Sequence, residues 1–562
     1  MAKEHETGNG KIVARYTASI ARRIHAARLF ATALLFIGVV LASVLCSGAA
    51  AAPNTARLSS QVAPPRIIPA PVSLRRISGS TFALQRSSRI VVAAKASKAL
   101  PVARYFASIL HRSTGYPLSI SRGSAKSSRH DIAFYLSGPA SLGKEGYQLD
   151  VTKTSVRLGA RTPEGLFRGV QTLRQLFPAK VESSKRQSGP WQLPGVQIVD
   201  HPRFSWRGVH LDVARHFFSV ADVKRLIGLL SLYKVNVLHL HLSDDQGWRI
   251  QIDSWPNLTT IGGSTEVGGG PGGYYTKDDY SAIVSYAASR YMTVVPEIDS
   301  PGHTNAALAS YPELNCNGVA PPLYTGWDVG FSSLCISKEV TYNFMDNVVS
   351  EISALTPGAY FHIGGDEAQS TTPTDYASFV NQAQQIVQGH GKKMIGWVPG
   401  IEAATLVSGS VGEYWAPGAD STTWEGTGSA RAAVAKGVKL ILAPANRSFL
   451  AIKYNPQTRL GFNWSGYIEA KDSYQWDPGS YISGISAGDV LGLEACLWSE
   501  TFETMEDIEY MTFPRLPALT ERGWSPAKGR SWSEFRLRLA AQAPRWRVMG
   551  IKYYRSPQVS WK

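Results

Sequence analysis

The chain changes rhythm at Phe204. Beyond it, short apolar runs of strand length recur between longer stretches whose apolar residues have helical spacing. Eight such runs stand out: Trp206–Val213, Val235–Leu242, Thr293–Ile298, Ala359–Ile363, Lys393–Trp397, Gly412–Trp415, Lys439–Ala443 and Val490–Trp498. Eight strand–helix alternations over roughly 350 residues predict an α/β fold, a (β/α)8 barrel with insertions. Before Phe204 the pattern is mixed. Arg89–Ala93, Asp131–Leu136 and Ser155–Leu158 read as strands, and Pro101–Leu110 and Pro163–Leu176 as helices, which together predict a small α+β domain. The Ser/Lys/Gly/Pro-rich stretch Ser183–Gly195 reads as a surface loop. The organisation expected is an export segment at 1–52, a polar linker at 53–63, the α+β domain at 64–200 and the barrel at 201–562.

In a barrel of this type the chemistry sits at the C-terminal ends of the strands. The first run ends near Asp212 and Arg215, the second at Asp244-Asp245, and the third leads to Glu297, Asp299 and His303. The fourth ends at Asp366-Glu367, the fifth and sixth at Trp397 and Trp415, and the eighth at Trp498 and Glu500. Any one of these could cap a helix or fill a core. Seven strand ends with such residues point to a site. The Gly-rich stretch Gly262–Gly273 reads as a flexible rim, because it lacks the strand-to-helix context of a phosphate cradle.

Composition narrows the setting. The N-terminal segment places Arg22, Arg23 and Arg28 before the apolar run Leu29–Leu45 and small residues up to Ala52, the layout of an export signal. Both cleavage near Ala49–Ala52 and retention as a membrane anchor fit its length. The expected location is therefore secreted or otherwise outside the cytoplasm. Cys316 and Cys335 flank an Asn/Gly/Pro-rich segment and are expected to pair, adding about 3 kcal/mol in the chain-entropy view. Cys496 lies in an apolar run and reads as a buried free thiol. Sequons at Asn257, Asn446 and Asn463 matter only in a host that glycosylates them. Net charge is +16, of which the first 52 residues carry +4, so attraction to anionic surfaces or acidic glycans is expected. No dense basic run with interleaved aromatics suggests nucleic acid as a partner. No Cys/His spacing suggests a metal, and no dinucleotide or Walker motif suggests a cofactor.

The stretch Tyr360-Phe361-His362-Ile363-Gly364-Gly365-Asp366-Glu367 carries the sharpest signal. The glycines allow a tight turn and close ligand approach, so two adjacent acids can converge on one pocket at the strand end. A carboxylic acid and a carboxylate in unlike environments are the usual equipment for cleaving a glycosidic bond.

Nearly the whole exported chain resembles glycoside hydrolase family 20, the β-N-acetylhexosaminidases. The motifs are Trp206-Arg207-Gly208 with Leu211-Asp212-Val213-Ala214-Arg215-His216-Phe217, His239-Leu240-His241-Leu242-Ser243-Asp244-Asp245, Pro296-Glu297-Ile298-Asp299-Ser300-Pro301-Gly302-His303, the Asp366-Glu367 stretch and Leu497-Trp498-Ser499-Glu500. The small domain, opening with Ile67-Ile68-Pro69-Ala70-Pro71, belongs to the match. The resemblance implies an exo-acting, retaining enzyme without cofactor, in which the acetamido oxygen of the sugar attacks its own anomeric carbon. It implies that Asp366 holds the acetamido N–H and faces the positive intermediate. Glu367 would be the acid and then the base, supported by Asp244 and His303. Arg215 and Glu500 would clamp the 3- and 4-hydroxyls. Trp397, Trp415 and Trp498 would wall the acetamido methyl, with Trp464 near the cleft. Arg207 reads as structural. The implied partner is a glycan ending in N-acetylglucosamine or N-acetylgalactosamine, such as a chitin oligosaccharide.

One segment departs from the pattern. Family members carry Tyr where this chain has Phe449 and Asp where it has Ala451, in Asn446-Arg447-Ser448-Phe449-Leu450-Ala451-Ile452-Lys453-Tyr454. Either Tyr454 supplies the missing hydroxyl or specificity is altered. Loss of a carboxylate near the 6-position suggests tolerance of 6-O-sulfated sugars. Weaker handling of the intermediate suggests transfer to sugar acceptors. A glycan-binding protein with weakened activity is the reading from another class, and a disaccharide-releasing relative is disfavoured by Glu500.

Overall fold

The computed structural model describes residues 65–123, 129–418 and 426–561. The expected export segment and linker at 1–63 lie outside the described residues. Among those described, no helix is long and apolar enough to cross a membrane.

Seven strands form the first sheet: β1 (Ser73–Ala83), β2 (Ile90–Ala93), β3 (Ile120–Gly123), β4 (Ile132–Leu136), β5 (Tyr147–Val151), β6 (Val156–Ala160) and β7 (Gln192–Asp200). Their order is β1-β7-β5-β6-β4-β2-β3. Pairing is parallel from β6 to β3 and antiparallel from β6 to β1. The helix Pro163–Leu176 starts where expected, with the Thr162 side chain accepting from Gly165 N and proline opening the first turn. It and the helix Leu100–Thr114 pack Phe106, Leu110, Phe167 and Val170 onto Ile90, Phe134 and Leu158 of the sheet. The predicted loop Ser183–Gly195 is corrected at its end: Trp191 is buried and β7 begins at Gln192, because Leu193 and Val196 turn into this core.

The barrel strands are β8 (Trp206–Asp212), β9 (Val237–His241), β12 (Thr293–Glu297), β13 (Tyr360–His362), β14 (Lys393–Val398), β15 (Val411–Tyr414), β16 (Lys439–Leu442) and β17 (Val490–Leu497). Between β9 and β12 lies a two-residue ladder of β10 (Ser243–Asp244) and β11 (Gly247–Trp248). The eight strands close in chain order, each lying within one of the predicted runs or meeting it to within a residue. Helix starts are locally encoded, as in the capping boxes Ser219/Asp222 and Thr276/Asp279.

The barrel interior is layered. Trp206, Val237, Val295, Ile395, Val411 and Ile441 form an apolar floor. Above it sit His239, Glu297, His362, Glu413 and Glu494, all buried. Parallel register places Glu297 beside both His241 and His362, and Glu494 beside Gly208. Only glycine fits at 208, since a Cβ there would lie 1.8 Å from Glu494 Oε2. This charged layer carries the open end of the barrel and its loops.

The two parts are joined by buried ions. Glu145, from the loop before β5, pairs with Arg168 Nε at 2.9 Å and with Arg207 of β8. Arg168 Nη1 donates to Val235 O at 3.0 Å, and Arg207 also donates to Phe204 O and Lys234 O. Arg207 is thus a structural residue far from the strand ends where the acids gather.

Candidate active site

A cavity of about 390 Å³ opens at the C-terminal ends of the strands. Asp299, His303, Asp366 and Glu367 line one side, and Arg215 and Glu500 another. Trp415, Trp464, Trp498, Phe449 and Ala451 line the apolar remainder. The strand ends thus bring most of the expected residues together. Asp244 and Trp397 are placed just outside the lining.

The turn after β13 sets the acids. Gly364 and Gly365 have φ of +71° and +95°, and Glu367 itself has φ +48°. A side chain at 364 is impossible, because its Cβ would lie 1.7 Å from Asp299 Oδ1. Gly365 N donates to that oxygen at 3.0 Å. The turn therefore grips Asp299 and aims Asp366 and Glu367 into the same space. Asp366 Oδ1 is buried with no hydrogen-bond partner among the described residues. Burial pushes the Asp366 carboxyl up to about 6, with His303 pulling against it and Glu367 adding to it.

Glu367 keeps a solvent-accessible carboxyl at 24 % exposure, with Oε2 3.6 Å from His303 Nε2. His303 Nδ1 lies 3.2 Å from Asp244 Oδ1. Asp244 Oδ2 is 2.7 Å from Arg215 Nη2 and 2.7 Å from His241 Nε2. Burial opposes the charge on Asp244, but Arg215, His303 and His241 outweigh it and hold its pKa well below the usual range. Burial likewise disfavours a charged His303, yet Asp244 and Asp299 raise its pKa well above that of free imidazole. The result is an imidazolium seated between an anion and the Glu367 carboxyl.

Glu297, which the sequence reading put at a strand end, extends this chain inward together with His239, His241 and Glu494. His241 Nδ1 lies 2.6 Å from Glu297 Oε2, and His239 Nε2 lies 3.1 Å from the same oxygen. His239 Nδ1 reaches Glu494 Oε1 at 2.8 Å. Trp397 Nε1 donates to Glu297 Oε1 at 2.8 Å, which explains its position: it is fully buried below the cavity and packs under Trp498 at 5.7 Å. Asp299 belongs to the site as well. Burial and the neighbouring Asp366 push its carboxyl well above the ordinary range. Its signal was the glycine pair, which demands a close neighbour.

Arg215 is held by Asp212 Oδ2 at 3.3 Å, Asp244 and Gln246 Oε1 at 3.2 Å, and lies over the Trp498 ring at 5.0 Å. Burial raises the Glu500 carboxyl, and Arg215 pulls it back less strongly. A buried Arg fork beside a Glu is suited to hydroxyl groups, donating to some and accepting from others.

Phe449 and Ala451 line the cavity at the positions the sequence reading questioned. Phe449 meets Trp464 at 6.0 Å and Trp498 at 6.2 Å. Tyr454 does not replace the missing hydroxyl. It is buried outside the cavity, its oxygen 2.9–3.1 Å from the Tyr510, Met511 and Phe513 carbonyls. A turn at Leu450 and Ala451, with Ile452 N donating to Phe449 O at 3.2 Å, separates it from Phe449.

Cys316 and Cys335 are bonded, and Cys496 is a buried free thiol. The Gly262–Gly273 stretch, expected to be a flexible rim, is pinned from beneath. The buried Arg249 guanidinium donates to the carbonyls of Gly263, Thr265 and Gly273. Ligand atoms of His303, Asp366 and Glu367 lie within 4.8 Å of one another, as do those of Asp244, Asp299 and His303. A cation could use that spacing. Arg215 and His303 already pair with Asp244.

The family profile described as glycosyl hydrolase family 20, catalytic domain, matches residues 204–376 and 369–527. The profile described as domain 2 of the same family matches residues 64–201. A β-N-acetylhexosaminidase of Cellulomonas fimi is 40 % identical over 88 % of this chain and 97 % of its own length. The solved GH20 β-N-acetylhexosaminidase of Streptomyces coelicolor A3(2) is 52 % identical, with a TM-score of 0.85 over 89 % of this chain and 99 % of that one. A mutant β-hexosaminidase of Streptomyces plicatus, solved with its product GlcNAc, is 51 % identical, with a TM-score of 0.85 over 89 % of this chain and 98 % of that one.

Proposed function

Since this chain belongs to glycosyl hydrolase family 20 and is a glycoside hydrolase of the β-N-acetylhexosaminidase type, we propose that it removes single terminal β-linked N-acetylhexosamine units, with retention, by substrate-assisted catalysis. The observation that carries the reading is the unpartnered, buried Asp366 Oδ1 beside the partly exposed Glu367 carboxyl. An acetamido N–H placed on Asp366 turns its carbonyl oxygen toward the anomeric carbon. That oxygen attacks, and the bond to the leaving oxygen breaks as Glu367 delivers a proton. No protein nucleophile is needed, because the internal group has a very high effective concentration. The anionic Asp366 faces the positive ring that forms. Glu367, now a carboxylate, takes a proton from water, which opens the ring at the anomeric carbon and restores the starting state. His303 steadies Glu367 and is itself held by Asp244. Arg215 and Glu500 close the far end, which favours one terminal sugar over a longer stretch of chain.

A second reading concerns the outer wall. Ala451 leaves room where a carboxylate would repel an anion, which supports acceptance of 6-O-substituted sugars. Phe449 cannot donate to the attacking oxygen, which favours slow turnover and transfer to sugar acceptors. The export-like N-terminus and the Cys316–Cys335 bond support action outside the cytoplasm.

The test compares wild type and Glu367→Gln on an aryl β-N-acetylglucosaminide, following the anomer released by NMR. Release of the β-anomer first, lost in the variant, is expected. Release of the α-anomer, or undiminished cleavage by Glu367→Gln, sinks the mechanism.

A further inference from the structure

Trp327 is 58 % exposed, yet it lines the cavity mouth. It is held there from several sides. The Cys316–Cys335 bond closes its loop. Its ring meets Phe462 edge-on at 5.7 Å. On one flank Thr325 O accepts from Gly268 N at 2.9 Å, and Arg249 pins the Gly-rich stretch that contains Gly268. On the other, Asp328 N donates to the Tyr324 hydroxyl at 2.7 Å. An indole so exposed and so constrained keeps a large apolar face in water, which a structural role would have buried.

Its position relative to the acid is set by the same loop. Gly330 lies against the side chain of Gln369, and Ser370 Oγ donates to Ser332 O at 3.0 Å. Gln369 and Ser370 lie two and three residues after Glu367. The loop therefore packs against the segment that follows the proton donor. Gly326 O also accepts from Gln246 Nε2 at 2.9 Å, and Gln246 Oε1 accepts from Arg215 Nε. The loop is thus tied to the clamp at the closed end of the cavity.

We propose that Trp327 is the platform of an outer subsite, binding the sugar attached to the leaving oxygen. This rests on the hydrolase reading above and names its substrate class: a β-linked oligosaccharide whose second ring presents an apolar face. A pyranose with equatorial hydroxyls exposes axial C–H groups on each face, and an indole covers such a face well. Val329 and Phe462 complete the rim beside it, and Trp464, itself 51 % exposed, stands nearby on the wall.

The test is a selectivity ratio. The value of kcat/KM is measured for a β-linked N-acetylglucosamine disaccharide and for trifluoroethyl β-N-acetylglucosaminide, whose aglycone is too small to stack. Trp327→Ala is expected to lower the ratio of the first to the second about tenfold, mainly through KM, and Trp327→Phe to restore most of it. An unchanged ratio in Trp327→Ala overturns the proposal, as does a ratio that Trp327→Phe fails to recover. A wild type that cleaves neither substrate overturns the hydrolase reading itself, a result distinct from either.

Discussion

Asp299 Oδ1 accepts from Gly365 N at 3.0 Å, one residue before Asp366, and burial with Asp366 nearby pushes the Asp299 carboxyl well above the ordinary range. Two acids thus share one small space. Asp299 braces the glycine turn, and Asp366 is left to face substrate.

That division predicts a pH profile. Asp366 must be anionic to stabilise a positive intermediate, and its pKa is raised to about 6. Activity should therefore fall as pH drops through about 6, approaching tenfold per unit below it. For stability the sign is opposite. The folded state holds this proton more tightly than the unfolded chain, so as pH rises from about 4 through 6 the group works against folding. Asp366→Asn should remove that destabilisation while abolishing most turnover. An acidic limb unchanged from that of free carboxylates would refute the assignment.

Glu367→Gln should discriminate by leaving group. A proton donor matters most when the departing oxygen is basic, so loss of roughly 10²–10⁴-fold is expected with an alkyl or sugar aglycone. With a dinitrophenyl aglycone, which departs unaided, the first step should be far less affected. Equal losses on both would mean that Glu367 serves the fold or the binding step.

Phe449 and Ala451 offer gain-of-function tests. Phe449→Tyr places a hydroxyl on the cavity wall beside Trp464 and Trp498. Turnover of a plain aryl glycoside should rise roughly tenfold or more, given what one donor to a developing charge contributes. Unchanged kcat would show that the attacking oxygen sits elsewhere. For the 6-position, Arg215 is the one Lys or Arg among the lining residues, and Asp212, Asp244 and Gln246 already engage it. A 6-O-sulfated substrate should thus be tolerated without preference, and Ala451→Asp should suppress it selectively. A strong preference for the sulfate in wild type would contradict this account.

At the joint of the two parts, Glu145→Leu should be strongly destabilising. It would leave the Arg168 and Arg207 guanidinium groups buried without their shared carboxylate, a loss of roughly 3–5 kcal/mol. Chemical denaturation measures it. A change below 1 kcal/mol, on the scale of an exposed pair, would mean that Glu164 and the backbone carbonyls satisfy both arginines.

Much of this molecule is legible in its sequence because its signals are local. The barrel strands announce themselves as apolar runs, and Asp366-Glu367 follows a glycine pair that only a tight turn requires. The missing parts are those whose meaning lies in distant partners. His239 and Glu494 look like interruptions of buried strands until the closed barrel brings them within 2.8 Å of each other. Strand β5 alternates from Tyr147 to Val151 but over only five residues, and β7 begins inside what reads as a loop. Arg249 gives no hint that it anchors the Gly-rich stretch, since its acceptors are backbone carbonyls of ordinary residues. Trp327 sits in a polar segment where one tryptophan carries no pattern at all.

Cys496 closes a route to error. Burial, with Glu413 and Glu494 nearby, pushes its thiol well above the ordinary range, and its sulfur is sealed beneath Phe449 and the strand of which it is part. Exchange between a thiol and a disulfide needs a thiolate that can reach the sulfur it attacks. Once the barrel closes, Cys496 is neither ionised nor able to approach the Cys316–Cys335 bond. Scrambling among these three sulfurs is confined to the time before folding is complete, and among the described residues no accessible thiol is left to meet oxidants.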